Sequence, residues 1–205
     1  MLRAVQRYYS EKVAEHGPTA KGVDWNDAAS QELRFEQLLK VCDPAAPFAL
    51  NDYGCGYGAL ATYLEERNYA FTYTGFDISA EMLAQARELL RDSARCRFVA
   101  SDDELEEADY TVASGIFNVK LDAPDDAWER HSLETLSRLN KLSVRGFAFN
   151  MLTSYSDADR MRPDLYYADP RVLFDHCKRN FSRWVALLHD YGLYEFTIVV
   201  RKELV

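Results

Sequence analysis

Three closely spaced glycines follow a short apolar run near residue 50 and have the pattern of a ligand-binding turn. The run from Phe48 to Asn51 leads into Asp52-Tyr53-Gly54-Cys55-Gly56-Tyr57-Gly58. A strand that passes through glycines into a helix exposes backbone N–H groups and lets a ligand approach the chain closely. The glycine run alone does not identify the ligand, because such runs also bind NAD and FAD, and a purely structural turn is a further interpretation.

Asp52 lies two positions before Gly54 and changes the kind of ligand that the turn favours. A dinucleotide places its pyrophosphate at such a turn, and a carboxylate so close would repel it. Asp52 instead suits an ammonium group. S-adenosylmethionine carries an amine cation and a sulfonium but no phosphate, so it fits this turn better than NAD.

A second acidic residue, Asp77, ends the next predicted strand within Gly75-Phe76-Asp77-Ile78-Ser79. It follows the glycines by about 20 residues, a spacing at which a carboxylate can accept hydrogen bonds from both ribose hydroxyls. The alternative is a helix-capping or exposed loop carboxylate, although Ser79 is already a good cap. Asp77 therefore indicates a nucleoside ligand.

Asp102 and Asp103 follow the third predicted strand, and either could accept a hydrogen bond from an adenine amino group. Both also open an acidic run through Glu107, so a solvated loop is an equally good interpretation of each residue.

The elements that must position these residues alternate between strand-like and helix-like patterns, which predicts crossover units and a mostly parallel sheet. Beyond the strand at 48–51, the predicted strands are 71–76, 96–99, 110–113 and 146–151, and the predicted helices are 59–66, 79–90, 126–142 and 171–180. Two further apolar runs, 184–188 and 194–201, flank a short turn and predict a terminal antiparallel hairpin.

The length of 205 residues fits a single domain, 1–205. Two helical patterns make residues 1–45 a predicted cap, and residues 46–205 form the predicted ligand-binding core. The polar and aromatic stretch 153–169 is interpreted as a lid.

Composition excludes several classes of function. A net charge of -9 opposes binding to nucleic acid. We expect a cytoplasmic protein without a membrane anchor, because no apolar run has the length of a signal peptide or a membrane span. The four cysteines are far apart and lack metal-ligand spacing, which predicts free thiols and no metal site. Monomer and homodimer are equally compatible with the sequence.

Together these motifs resemble those of the class I S-adenosylmethionine-dependent methyltransferases of the small bacterial type. The family's glycine motif corresponds to Leu50 to Gly58, its ribose acid to Asp77, its adenine acid to Asp102 or Asp103, and its fourth-strand motif to Asp109 to Asn118. The resemblance covers about residues 46 to 200. It implies a Rossmann-like α/β fold with a seven-stranded, mostly parallel sheet, a terminal antiparallel hairpin, helices on both faces and an N-terminal helical extension.

The resemblance also implies S-adenosylmethionine as the cofactor, with Met82 near the adenine and Ser114-Gly115 near the methionine end. Tyr8, Tyr9 and Trp25 could close over the cofactor, because aromatic faces attract a nearby cation. The predicted cofactor-binding set is Asp52, Tyr53, Gly54, Cys55, Gly56, Gly58, Asp77, Ile78, Met82, Asp102, Asp103, Ser114 and Tyr9.

The expected reaction is in-line methyl transfer to an oxygen or nitrogen atom of a small polar acceptor. The DNA and protein-glutamine methyltransferases carry an Asn-Pro-Pro-Tyr-like segment after the fourth strand, whereas this chain has Ser114-Gly115-Ile116-Phe117-Asn118. This departure disfavours nucleobase amino groups as acceptors. Methyl transfer does not require a general base to take a proton from the acceptor. The spacing singles out none of the candidates for that role, which are Tyr8, Tyr9, His16, His131, Tyr155, Tyr167 and His176. An NAD-dependent oxidoreductase and a non-catalytic nucleoside-binding scaffold are the alternatives.

Overall fold

The computed structural model describes residues 2–23 and 27–203, and within these ranges seven strands form one sheet. The strands are β1 Phe48–Tyr53, β2 Phe71–Phe76, β3 Cys96–Val99, β4 Ala108–Ala113, β5 Ser143–Leu152, β6 Trp184–Leu188 and β7 Glu195–Arg201. Their order across the sheet is β3-β2-β1-β4-β5-β7-β6. The first five strands pair in parallel, and β7 lies antiparallel between β5 and β6. The predicted sheet and its terminal hairpin are confirmed.

The described part of the chain contains six α-helices. They are α1 Leu2–His16, α2 Ala28–Leu38, α3 Ala59–Glu66, α4 Ala80–Leu89, α5 Asp125–Lys141 and α6 Pro170–Asn180. Local sequence explains several of their ends. Ser79 precedes α4 and accepts a hydrogen bond from Met82 N at 3.2 Å, as its predicted role as a cap requires. Asp169 caps α6 in the same way, with Pro170 in the first turn.

Two apolar layers cover the two faces of the sheet. Neighbouring residues of β5 and β7 alternate between them: Ala148 and Val199 pack in one layer, and Phe149 and Ile198 pack in the other. Alternation follows from the period of two in a strand. The first layer also takes side chains from α2 and α3, and the second takes side chains from α5 and α6. β5 and β7 are therefore buried on both faces, as expected where helices cover both sides of a sheet.

Strand ends differ from the prediction mainly by extension. β4 begins at Ala108 and β5 spans Ser143–Leu152, each longer than the apolar run that predicted it. The added residues include Ala108, Ser143 and Leu152, and pairing with a neighbouring strand places these three in the sheet. Among residues 2–23 and 27–203, none of the helices combines the length and apolar character needed to cross a bilayer.

Candidate active site

A cavity of about 470 Å³ opens at the carboxyl ends of the central strands. Strands β1 and β2 end side by side, since Tyr53 pairs with Phe76. The segments that follow them, and the turn after β4, all contribute to the cavity wall. This is the edge of an open α/β sheet at which ligands bind, because the strand order reverses there.

The glycine turn bends back over the end of β2. The amides of Gly54 and Cys55 both donate to Phe76 O, at 2.7 and 2.9 Å. Gly54 and Gly56 have φ values of +88° and +55°, a region that side chains with a Cβ rarely adopt. A Cβ at Gly54 would lie 2.2 Å from Ile116 Cγ2, so only glycine fits there. The glycines thus permit both the turn and the close approach of the loop after β4.

Asp77 ties the glycine turn to the end of β2. Its Oδ2 accepts from Gly56 N and its Oδ1 from Ser79 N, both at 2.8 Å. A carboxylate oxygen can accept two hydrogen bonds, so the Asp77 carboxylate keeps capacity for a ligand hydroxyl beyond its backbone donors. Burial raises the pKa of Asp77, and the backbone donors at Ser79 and Gly56 oppose that shift.

Asp52 forms part of the cavity wall and is only 3% exposed. It accepts a hydrogen bond from Tyr73 Oη at 2.7 Å. Burial raises the pKa of Asp52 to about 7, although the Tyr73 hydroxyl lowers it. A buried carboxyl group with a raised pKa favours a cationic partner, because an ammonium would restore the charged form.

The far wall of the cavity contains Asp102, and Asp103 is exposed outside it. The Oδ2 of Asp102 accepts from Tyr53 Oη at 3.2 Å and lies 3.4 Å from Arg138 Nε. These contacts orient the Asp102 carboxylate. Of the two acids that the sequence left equivalent, the structure places Asp102 at the site.

Ser114, Gly115 and Ile116 form the turn after β4 and close the cavity opposite the glycines. Gly115 has φ +73° and donates from its amide to Asn150 Oδ1 at 2.8 Å. Within the described residues, Ser114 Oγ is buried and has no hydrogen-bond partner. A buried hydroxyl without a partner is unfavourable, so a polar group of a ligand would satisfy it.

The N-terminal helices roof the cavity. Gln6 of α1 donates to Ile78 O at 2.7 Å, beside Asp77, and Ser10 hydrogen-bonds with Ser79 at 2.9 Å. Tyr57 of the glycine turn donates to Gln31 of α2 at 3.0 Å. The roof presents mainly apolar side chains to the cavity: Leu2, Val5, Tyr9, Val23 and Phe35.

Most of the predicted cofactor-binding residues line this one cavity. They are Asp52, Tyr53, Gly54, Cys55, Gly56, Asp77, Ile78, Met82, Asp102, Ser114 and Tyr9. Gly58 does not line the cavity: it caps α3 and packs against helix α4, where an added Cβ would lie 2.9 Å from Leu90 Cδ1, and its part in cofactor binding stays a prediction. Asp103 also lies outside the cavity lining, and its role stays a prediction. Trp25 lies outside the described residues.

Several lining residues escaped the sequence analysis: Val23, Gln31, Phe35, Leu60 and Thr135. The helical patterns could show only that α2 and α5 have buried faces, not which turn of each helix reaches the cavity. Among the described base candidates, Tyr9 and His131 line the cavity. The segment 153–169 contributes no lining residue, and its role as a lid stays a prediction.

These features fit S-adenosylmethionine. The cavity has the volume of a small-molecule site. Asp77 keeps hydrogen-bonding capacity for a ribose, the buried Asp52 favours an ammonium, and Ser114 lacks a partner for its hydroxyl. A pyrophosphate would instead meet the Asp52 carboxyl at the glycine turn.

Comparison with known proteins agrees with this fit. Residues 51–141 match the family described as methyltransferase domain. A protein of Mycobacterium tuberculosis (strain ATCC 25618 / H37Rv), whose name assigns it provisionally to the methyltransferases, is 56% identical over 164 residues. That alignment covers 80% of this chain and 99% of the relative.

Solved structures share the fold at low sequence identity. An N-methyltransferase of Bradyrhizobium japonicum WM9 bound to S-adenosylhomocysteine has a TM-score of 0.65 and 15% identity, over 96% of this chain and 97% of that one. A carbon methyltransferase has a TM-score of 0.55 and 16% identity, over 80% of this chain and 50% of that one. The two neighbours act on different acceptor atoms, so the shared fold does not identify the acceptor of this chain.

Proposed function

The chain belongs to the class I S-adenosylmethionine-dependent methyltransferases, and on that premise we propose that it methylates an oxygen or nitrogen atom of a small-molecule acceptor. The observation that carries the proposal is the roof over the cavity. Helices α1 and α2 cover a cavity of about 470 Å³, which suits a cofactor and a compact acceptor better than a polymer. The net charge of -9 also disfavours a nucleic-acid acceptor.

Three acids would hold the cofactor along its length. Asp77 would bind the ribose hydroxyls with the remaining capacity of its carboxylate. Asp102, oriented by Tyr53 and Arg138, would accept from the adenine amino group. Asp52 would pair with the ammonium at the opposite end. When bound, S-adenosylmethionine supplies a methyl group already activated by the sulfonium.

The residues of this chain then have to align the acceptor and exclude water. The apolar side chains of α1 and α2 exclude water from the roofed cavity, which favours transfer over side reactions. His131 lines the same cavity, and burial lowers the pKa of its imidazole below the ordinary value. A neutral imidazole can accept a proton, so His131 is our candidate to take it from a hydroxyl or amine acceptor.

Transfer of a labelled methyl group tests the proposal. The wild-type enzyme is incubated with cofactor carrying carbon-13 in its methyl group and with a cell extract divided into a small-molecule filtrate and a macromolecular fraction. Labelled product in the filtrate, with the carbon shift of an O-methyl or N-methyl group, supports it. Label in RNA or protein, or the shift of a methyl group bonded to carbon, contradicts it. Asp77→Ala serves as the control that cannot hold the ribose.

Membership of the family replaces the oxidoreductase and scaffold alternatives with an enzyme that transfers methyl groups. Cytoplasmic location and assembly as a monomer or homodimer stay predictions. Within the described residues, no group of three or more His, Cys, Asp or Glu side chains is arranged to hold a metal ion.

A further inference from the structure

A chain of buried polar contacts runs from the N-terminal cap to the turn after β4. Arg34 of α2 donates to both carboxylate oxygens of Glu195 at the start of β7, with distances of 2.6, 3.0 and 3.1 Å. Asn150 of β5 donates from Nδ2 to Glu195 Oε2 at 2.7 Å and accepts from Gly115 N at 2.8 Å through its Oδ1. We call Arg34, Glu195 and Asn150 the buried relay.

The buried relay is almost fully removed from water. Exposure is 7% for Arg34, 1% for Glu195 and 0% for Asn150. Taking two charges out of water is unfavourable, and an apolar pair of similar volume would often be as stable. A contribution to stability is therefore a poor explanation for burying these polar groups. A better explanation is that the relay holds the backbone at one of its ends in a specific conformation.

That end is the turn of Ser114, Gly115 and Ile116. The amide oxygen of Asn150 fixes Gly115 N, and Gly115 has the left-handed φ of +73°. Ile116 then reaches across to the glycine turn, where its Cγ2 occupies the position that a Cβ on Gly54 would need. The relay thus sets the spacing between the two turns that bound one end of the cavity.

We propose that the buried relay positions the Ser114–Ile116 turn against the methionine end of the cofactor, and that Arg34, Glu195 and Asn150 are positioning residues for that end alone. The inference rests on the proposed cofactor site. The adenosine end is formed by other side chains, those of Asp77, Met82 and Asp102. Disturbing the relay should therefore weaken binding of the amino-acid portion and leave adenosine recognition unchanged.

Two ligands separate these effects in one experiment. S-adenosylhomocysteine carries the amino-acid portion, and methylthioadenosine lacks it. Calorimetric titration of both is performed on the wild type, on Asn150→Leu and on the double variant Arg34→Met with Glu195→Met. The double variant replaces the ion pair by apolar side chains of similar size and keeps the fold measurable if Asn150→Leu fails to fold. Thr197→Val is the matched control, because Thr197 is also buried in β7 and pairs with Asn150 across the strands, but its hydroxyl bonds to Tyr191 at 2.8 Å and, within the described residues, to no relay residue.

We expect affinity for S-adenosylhomocysteine to fall roughly fivefold to tenfold in both relay variants, as for the loss of one buried hydrogen bond. Affinity for methylthioadenosine should change by less than about twofold, and Thr197→Val should leave both affinities unchanged. Equal weakening of both ligands, or weakening of neither, overturns the positioning role. A wild type that binds neither ligand refutes the proposed cofactor site itself, which the other outcomes leave intact.

Discussion

The pH dependence of cofactor binding should depend on Asp52. Burial raises the pKa of this carboxyl to about 7 in the ligand-free protein, so it is largely neutral in mildly acidic solution. An ammonium in contact with Asp52 favours the carboxylate, and binding at lower pH must therefore release a proton. Affinity for a ligand with an ammonium group should fall as pH decreases through 7, because proton release is penalised there.

The size of the effect follows from that pKa. Well below it, affinity changes by a factor of about ten for each pH unit, and above it the dependence disappears. Between about pH 7.5 and about pH 6, the dissociation constant of S-adenosylhomocysteine should increase roughly fivefold to tenfold. The ligand's own α-ammonium titrates above this window, so the ligand remains mainly cationic throughout it.

Calorimetric titration at several pH values measures this change, and two variants control it. Asp52→Asn keeps an acceptor for the Tyr73 hydroxyl but cannot titrate, so its affinity should be lower and independent of pH over the window. Tyr73→Phe removes the hydroxyl that lowers the pKa of Asp52, so the pH dependence should move upward. Methylthioadenosine, which has no ammonium, should bind the wild type equally across the window.

A wild-type affinity for S-adenosylhomocysteine that stays constant across this window would refute the reasoning. It would mean either that Asp52 is already ionised in the free protein or that the ammonium binds elsewhere. The Asp52→Asn affinity distinguishes the two cases, since a large loss at higher pH supports the first and no loss supports the second.

Three further substitutions test other parts of the structure. Gly54→Ala should abolish binding of S-adenosylhomocysteine in calorimetry, because the backbone φ is +88° and the new Cβ would lie 2.2 Å from Ile116 Cγ2. The control Gly192→Ala should bind normally, because the space around Gly192 is open. Asp77→Ala should weaken the binding of both S-adenosylhomocysteine and methylthioadenosine by about tenfold to a hundredfold, because charge-assisted hydrogen bonds to the ribose are lost. Weaker binding of only one of the two ligands would argue against that role. Phe149→Ala should reduce the free energy of unfolding in urea by about 3 to 5 kcal/mol, since its ring is fully buried, and a loss under about 1 kcal/mol would contradict that burial.

The alternation of elements and the glycine motif were readable from the sequence because they depend on neighbouring residues. Strand and helix periodicity placed α3, β2 and β3 at their observed bounds. Asp77 could be assigned to the carboxyl end of the parallel strands, beside the glycine turn. It directly follows β2, and the glycines directly follow the neighbouring parallel strand β1. Charge and spacing also separated a sulfonium cofactor from a dinucleotide.

Other features depended on contacts between distant segments, and no local pattern shows those. Asp102 and Asp103 are adjacent and chemically alike, and only the packing of Arg138 and Tyr53 against one of them distinguishes the two. Gly58 belongs to the same motif as Gly54, but its neighbour is Leu90 of the next unit rather than the cavity. Arg34 and Glu195 are separated by 161 residues and read individually as ordinary charged side chains. The sequence thus determined which local elements form and which cofactor they suit. The tertiary structure decided which side chains share the cavity, because burial and pairing depend on three-dimensional packing.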